Sequence, residues 1–259
     1  MNDVQNPIYS NMRLINAKLP HFYESTRVGS TPVREDHKEY PKPSTFNLHL
    51  RSGRVVLFLG DSGSGKSTLM RCIAGFKDLE EGEIDLQEKQ VAMLLQNPFH
   101  QIIMQKAHDE LFFPQKNAGI ETESAENEIA KICKILEITH LLERNINTLS
   151  FGEAQLLMIA ATALTPADIY LFDEPTSHLD PPHISRFYTL LSILAEKGKT
   201  VVVSTQNTDE YRYAARMIIL DKGNLKADYS KDEIEKLVKR GDFTTDVEMI
   251  IAKLGGLKK

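Results

Sequence analysis

The stretch Gly60-Asp61-Ser62-Gly63-Ser64-Gly65-Lys66-Ser67-Thr68 constrains this chain more than any other. It follows VVLFL (55–59), an apolar run that suits a strand covered on both faces. A helix expected to start near Ser64 follows, with Leu69, Met70, Ile73 and Ala74 on its apolar side. Strand, G-x-x-x-x-G-K-[ST] loop and helix together make a phosphate cradle. The glycines let successive N–H groups and the helix N-terminus face an anion. In that role Lys66 neutralises the β- and γ-phosphates and the Ser67 hydroxyl ligates Mg²⁺.

A cradle of this kind needs a sheet behind it, and the chain alternates accordingly. Strands are expected at 12–19, 46–50, 91–95 (VAMLL), 169–172 (IYLF), 201–203 (VVV) and 217–220 (MIIL). Helical periodicity fills ~107–165, clearest in AENEIAKICKIL (125–136). Strands alternating with helices predict an α/β fold with a largely parallel sheet. Residues 24–43, rich in Ser, Pro, Thr and charge, read as a loop or insertion, and the tail from 222 reads as amphipathic helices.

The run IYLFDEP (169–175) ends a buried strand in two adjacent carboxylates. Asp173 is placed to hold the Mg²⁺ shell, and Glu174 to polarise a water attacking the γ-phosphate. Alone, D-E-P is a solvated acidic turn; a hundred residues after a phosphate loop it is a site.

Bulk properties exclude several classes. The 259 residues carry a formal charge of −5, so there is no electrostatic footprint for nucleic acid. Two separated cysteines, Cys72 and Cys133, argue against a disulfide framework or zinc site and for a reducing compartment. Neither a signal peptide nor a run of ~20 apolar residues is evident, which predicts a protein that is cytosolic or rests on a membrane from that side.

L-S-F-G-E (149–153) opens an apolar helix, and its Ser150 and Glu153 stand in capping-box order. It precedes the acidic strand end, and S-H-L-D (177–180) follows it. With Gln96 in L-L-Q-N-P, this order resembles the ABC-type ATPases from about residue 46 to 223. The stretches Q-N-P-F-H-Q-I and H-D-E-L-F-F are similar to ATPase subunits of energy-coupling-factor importers.

The resemblance implies a P-loop NTPase with an N-terminal antiparallel β subdomain and a helical subdomain inserted at about 97–155, one domain over 1–259. It implies a head-to-tail dimer with a second ABC ATPase subunit, the same chain or a different one. Two ATP are sandwiched there, each between Gly60–Thr68 of one chain and Ser150–Gly152 of the other. Gln96 would sense Mg²⁺ and the attacking water, and Asp180 would order the opposite site. An integral-membrane subunit would receive the motion, most readily for import. The alternative is a non-transport ABC ATPase acting on nucleic acid or ribosomes. Family members stack adenine on an upstream aromatic, here Tyr23 or Tyr40, unless both are plain surface tyrosines.

Four positions depart from the family. Phe151 replaces a usual Gly, which costs stability only if the backbone there needs positive φ. Glu153 replaces the commoner Gln and keeps the capping function. The arginine usual in the next helix is absent, since Leu156, Leu157 and Met158 occupy that region. Gln206, in VVVSTQ (201–206), stands where a His normally contacts the γ-phosphate. A Gln amide donates one such bond but cannot carry positive charge. The expectation is a slow or degenerate site.

Overall fold

The computed structural model describes residues 11–20 and 43–239. A three-stranded antiparallel sheet has the order β2-β1-β4, built from Asn11–Lys18 (β1), Phe46–Arg51 (β2) and Glu81–Asp85 (β4). A six-stranded sheet has the order β5-β6-β7-β3-β8-β9. Its strands are Arg54–Leu59 (β3), Val91–Leu94 (β5), Ile169–Asp173 (β6), Thr200–Thr205 (β7), Arg216–Asp221 (β8) and Asn224–Ser230 (β9). All pairings from β5 through β8 are parallel, and β9 returns antiparallel to β8.

The helices are Lys66–Ile73 (α1), Ala107–Asn117 (α2), Thr122–Leu136 (α3), Phe151–Leu164 (α4), Pro181–Glu196 (α5) and Lys231–Lys239 (α6). The expected largely parallel core, antiparallel sheet and intervening helices are therefore all present. None of the helices is long and apolar enough to cross a membrane among the described residues.

Alternation along β3 explains why both faces of the large sheet are covered. Val55 and Leu57 join Phe172, Val201 and Val203 in a core shared with α4 and α5. Val56 and Phe58 point the other way, into a core with Leu69 and Met70 of α1 and Met12, Leu14 and Leu48 of the small sheet. Fully burying each such side chain stabilises by about 1.5–3 kcal/mol.

Two strands depart from the sequence expectation. β4 (EGEID) has three exposed residues and neither an aromatic nor a run of β-branched residues. Its pairing with β1 decides its conformation, and a Cβ at Gly82 would lie 2.3 Å from the Asn16 carbonyl oxygen. β9 corrects the expected helical tail. Residues 224–230 form an edge strand on β8, and helix begins only at Lys231. An edge strand half in water carries too little apolar pattern to announce itself. The rest of the tail lies outside the described residues.

Candidate functional site

Strand order places the site. β7 lies between β6 and β3, with Asp173 level with Ser204 and Leu59 level with Thr205. The C-terminal ends of these three parallel strands therefore bring together the phosphate loop, the acidic pair and Gln206. Such a crevice at the carboxyl ends of parallel strands is the usual ligand position in open α/β sheets.

The loop is shaped by its glycines. A Cβ on Gly60 would sit 2.3 Å from the Leu220 carbonyl oxygen, and Gly65 caps α1 at φ 104°, in the left-handed region. α1 therefore starts at Lys66, two residues later than the sequence suggests. Ser64 is buried, and its carbonyl accepts from the Gly223 N–H at 2.9 Å. Asp61 is half-buried, Ser62 and Gly63 are exposed at the loop's crown, and Thr68 is buried under it.

Lys66 is only 3% exposed, yet its ammonium is well held. Nζ donates to the carbonyls of Gly60 at 2.5 Å and Asp61 at 3.0 Å, and lies 3.6 Å from Glu174 Oε1. Burial lowers its pKa, while the charges of Glu174 and Asp173 pull it back up.

Asp173 is fully buried at the end of β6. Its Oδ1 accepts from Ser67 Oγ at 2.9 Å and Ser204 Oγ at 2.6 Å. Its Oδ2 is buried with no hydrogen-bond partner. Burial raises its pKa against the pull of those two hydroxyls. An unpaired carboxylate oxygen beside a hydroxyl is the hard-oxygen donor set a magnesium ion takes, so these residues fit that ion.

Glu174 holds φ at 50°, a left-handed conformation costing a non-glycine residue about 1–3 kcal/mol. The surroundings enforce it. Glu174 N–H donates to Ser204 Oγ at 3.0 Å, and Ser177 Oγ donates to the Glu174 carbonyl at 3.1 Å. Gln206, exposed just past β7, donates its Nε2 to Glu174 Oε1 at 2.9 Å. The two residues singled out for water activation and phosphate sensing are thus in direct contact.

Sequence reasoning missed Ser204, which donates to Asp173 and accepts from Glu174 N–H. The only signal was its place inside VVVSTQ, one strand away from both partners.

The second candidate segment forms the N-terminus of α4. Glu153 N–H donates to Ser150 Oγ at 3.3 Å, while Ser150 N–H and Oγ both donate to Glu153 Oε2 at 2.8 Å. Arg144 pairs with the other Glu153 oxygen at 2.6 Å. The Ser150 bonds, with Arg144 beside them, hold the Glu153 carboxyl below its usual range. Phe151 is the first residue of this helix and is not in the left-handed region, so its Cβ carries no backbone cost. Its ring lies 4.3 Å from that of His178 and 5.8 Å from that of Phe99. Gly152 approaches the His178 carbonyl so closely that a Cβ would sit 3.3 Å from it.

Asp180 caps α5, accepting from His183 N–H at 2.9 Å. Gln96 is exposed after β5 and, among the described residues, hydrogen-bonds none of the other candidates. The nearby Gln101, unmarked by sequence reasoning, pins that strand end. It accepts from Leu95 N–H at 2.7 Å and donates to the Met93 carbonyl at 2.8 Å. Tyr23 and Tyr40 lie outside the described residues.

The sequence pattern of the ABC transporter family matches residues 44–177, from the start of β2 to just past the acidic pair. The chain belongs to the ABC transporter family of ATPases. A relative in Methanosarcina mazei named as an ABC transporter ATP-binding protein is 34% identical over 71% of the chain, although the chain spans only 35% of that relative. The energy-coupling factor transporter ATP-binding protein EcfA1 of Mycoplasmopsis synoviae is 29% identical, over 77% of this chain and 81% of that protein. A solved ATP-binding cassette, dimeric and bound to ADP and Pi after hydrolysis, superposes with a TM-score of 0.69 at 25% identity. That match covers 85% of this chain and 98% of the cassette. As an ABC ATPase, the chain binds ATP at a P-loop and belongs to a class of hydrolysing enzymes. Within that class, the Gln206–Glu174 contact is the feature of this chain's site that calls for a chemical account.

Proposed function

We propose that this ABC ATPase is the ATP-hydrolysing subunit of a membrane importer, lying on the cytosolic face of the membrane. In this reading it closes head to tail with a second ATPase subunit on two ATP. The loop Gly60–Thr68 receives the phosphates of one, and Ser150–Gly152 presents N–H groups from the N-terminus of α4 to the other. The similarity to EcfA1 and the absence of a spanning helix among the described residues support a peripheral partner in import.

Each side chain has a task. Lys66 shifts its ammonium from the loop carbonyls to the β- and γ-phosphate oxygens. Ser67 and Asp173 would hold Mg²⁺, which when bound neutralises charge on the same oxygens. Glu174 accepts a hydrogen bond from water and aligns it in line with the γ-phosphorus. The water oxygen–phosphorus bond forms as a water proton passes to the Glu174 carboxylate, the bond to the β–γ bridging oxygen breaks, and ADP leaves with the electron pair. Gln96 and Asp180 complete the site as the two chains close, and Tyr23 or Tyr40 stacks on adenine.

The 2.9 Å contact between Gln206 and Glu174 carries the finer reading. A neutral amide orients the carboxylate but adds no positive charge as the transition state spreads negative charge over the phosphoryl oxygens. The missing charge-assisted bond is worth about 1.5–3 kcal/mol, about ten- to a hundredfold in rate. This chain is therefore the slower half of a pair. Steady-state phosphate release by the full chain is expected to rise by about that factor in Gln206→His. A fast wild type with no gain in the variant defeats the slow-site reading.

A further inference from the structure

A buried carboxylate, Glu210, lies behind the pair Glu174 and Gln206. Glu210 is 2% exposed, in the short 3-10 segment Thr208–Tyr213 that follows Gln206. Its Oε1 accepts from Thr176 Oγ1 at 2.6 Å, and its Oε2 from Tyr188 OH at 2.5 Å. The side chains of Thr205 and Asn207 hydrogen-bond it as well.

These four partners come from three separate segments. Thr176 is two residues beyond Glu174. Thr205 and Asn207 flank Gln206 on either side, and Asn207 N–H is further tied to Thr205 Oγ1 at 3.0 Å. Tyr188 belongs to α5, and its ring is stacked on Tyr213 at 4.3 Å and 7°. An ionised carboxylate accepts several such bonds with its two oxygens, and this is what makes so dry a position tolerable. Burial nevertheless pushes its pKa up against the pull of the surrounding donors.

We infer that Glu210 is a positioning residue for ATP hydrolysis. By binding Thr176 on one side and Thr205 and Asn207 on the other, it fixes the separation between Glu174 and Gln206. The contact between those two side chains is then a consequence of the buried carboxylate behind them, since both are anchored through their neighbours in the chain. Gln206 is exposed and Glu174 sits in a strained backbone conformation, so neither holds this geometry alone. The inference rests on the assignment of Glu174 and Gln206 to the reaction.

Glu210→Gln keeps the shape but offers one acceptor oxygen, and it places an N–H₂ group among donors. A misplacement of about 1 Å at a reacting group lowers the rate about a hundredfold, so a partial loosening is expected to lower kcat by about tenfold or more. ATP affinity, which depends on the loop 60–68, stays unchanged, and the thermal transition remains cooperative. Tyr188→Phe removes a single donor and keeps the ring stack, and it lowers kcat in the same direction by less.

The test measures kcat, ATP Kd and thermal unfolding of the purified full chain, free of other ATPase subunits, for wild type, both variants and Glu174→Gln. A folded Glu210→Gln protein with wild-type kcat overturns the inference. So does loss of kcat, affinity and cooperative unfolding together while Tyr188→Phe behaves as wild type, because Glu210 would then be structural only. If Glu174→Gln keeps its turnover, the assignment of Glu174 falls and the inference with it. If Glu174→Gln is inactive while Glu210→Gln is normal, the inference alone falls.

Discussion

Replacing Glu174 by Gln is expected to leave ATP binding intact and to slow hydrolysis by about 10²–10⁴-fold, the usual contribution of a positioned general base. The binding part follows from geometry. ATP would be held by the phosphate loop and Lys66, whose ammonium is fixed by the Gly60 and Asp61 carbonyls at 2.5 and 3.0 Å and lies 3.6 Å from Glu174. An amide at position 174 still accepts from Gln206 Nε2 through its oxygen, so the local backbone has no reason to change. What disappears is the negative charge that draws a proton from the attacking water. Equilibrium titration with ATP and phosphate release at saturating ATP check the two halves separately. A variant that binds weakly and hydrolyses normally would reverse the assignment.

Lys66→Ala is expected to fail at the earlier step. The proposed role gives Lys66 contacts with both the β- and γ-phosphates, each charge-assisted and worth about 1.5–3 kcal/mol. Losing both weakens ATP binding by about 10²–10⁴-fold. The truncation also leaves the Gly60 and Asp61 carbonyls without their ammonium partner and Glu174 without its nearest cation, so the free loop loses order as well. ATP affinity by titration, and the rise in thermal midpoint on adding ATP, measure the effect. An unchanged affinity would remove Lys66 from the phosphate site.

The parts of the site that could be read from residue types are those in which local chemistry dictates the backbone. Gly60 and Gly65 mark places where a side chain does not fit or the chain turns left-handed, and the loop follows from them. Ser150 and Glu153 close a capping box within one turn, so spacing alone announces it. The Ser67–Asp173 bond joins distant residues, but each already carried the mark of its motif.

The parts that could not be read depend on which strands lie side by side. Ser204 supports both acidic residues only because β7 lies beside β6 with Asp173 in register with Ser204. Glu210 reaches four donors that meet only after three segments have folded together, and its own surroundings, N-T-D-E, read as an ordinary polar loop. Arg144 anchors Glu153 from a preceding loop, a pairing with no fixed spacing to betray it. β4 and β9 are polar edge strands whose pairing partners, rather than their own residues, determine their conformation.

In the proposed function this chain is one part of a membrane machine, and isolation of the chain from membranes in mild detergent tests that most directly. The predicted result is an integral-membrane protein and a second ATPase subunit held in stoichiometric amounts, with ATP hydrolysis in the isolated complex. A chain that is recovered alone, free of membranes and without such partners, would contradict it.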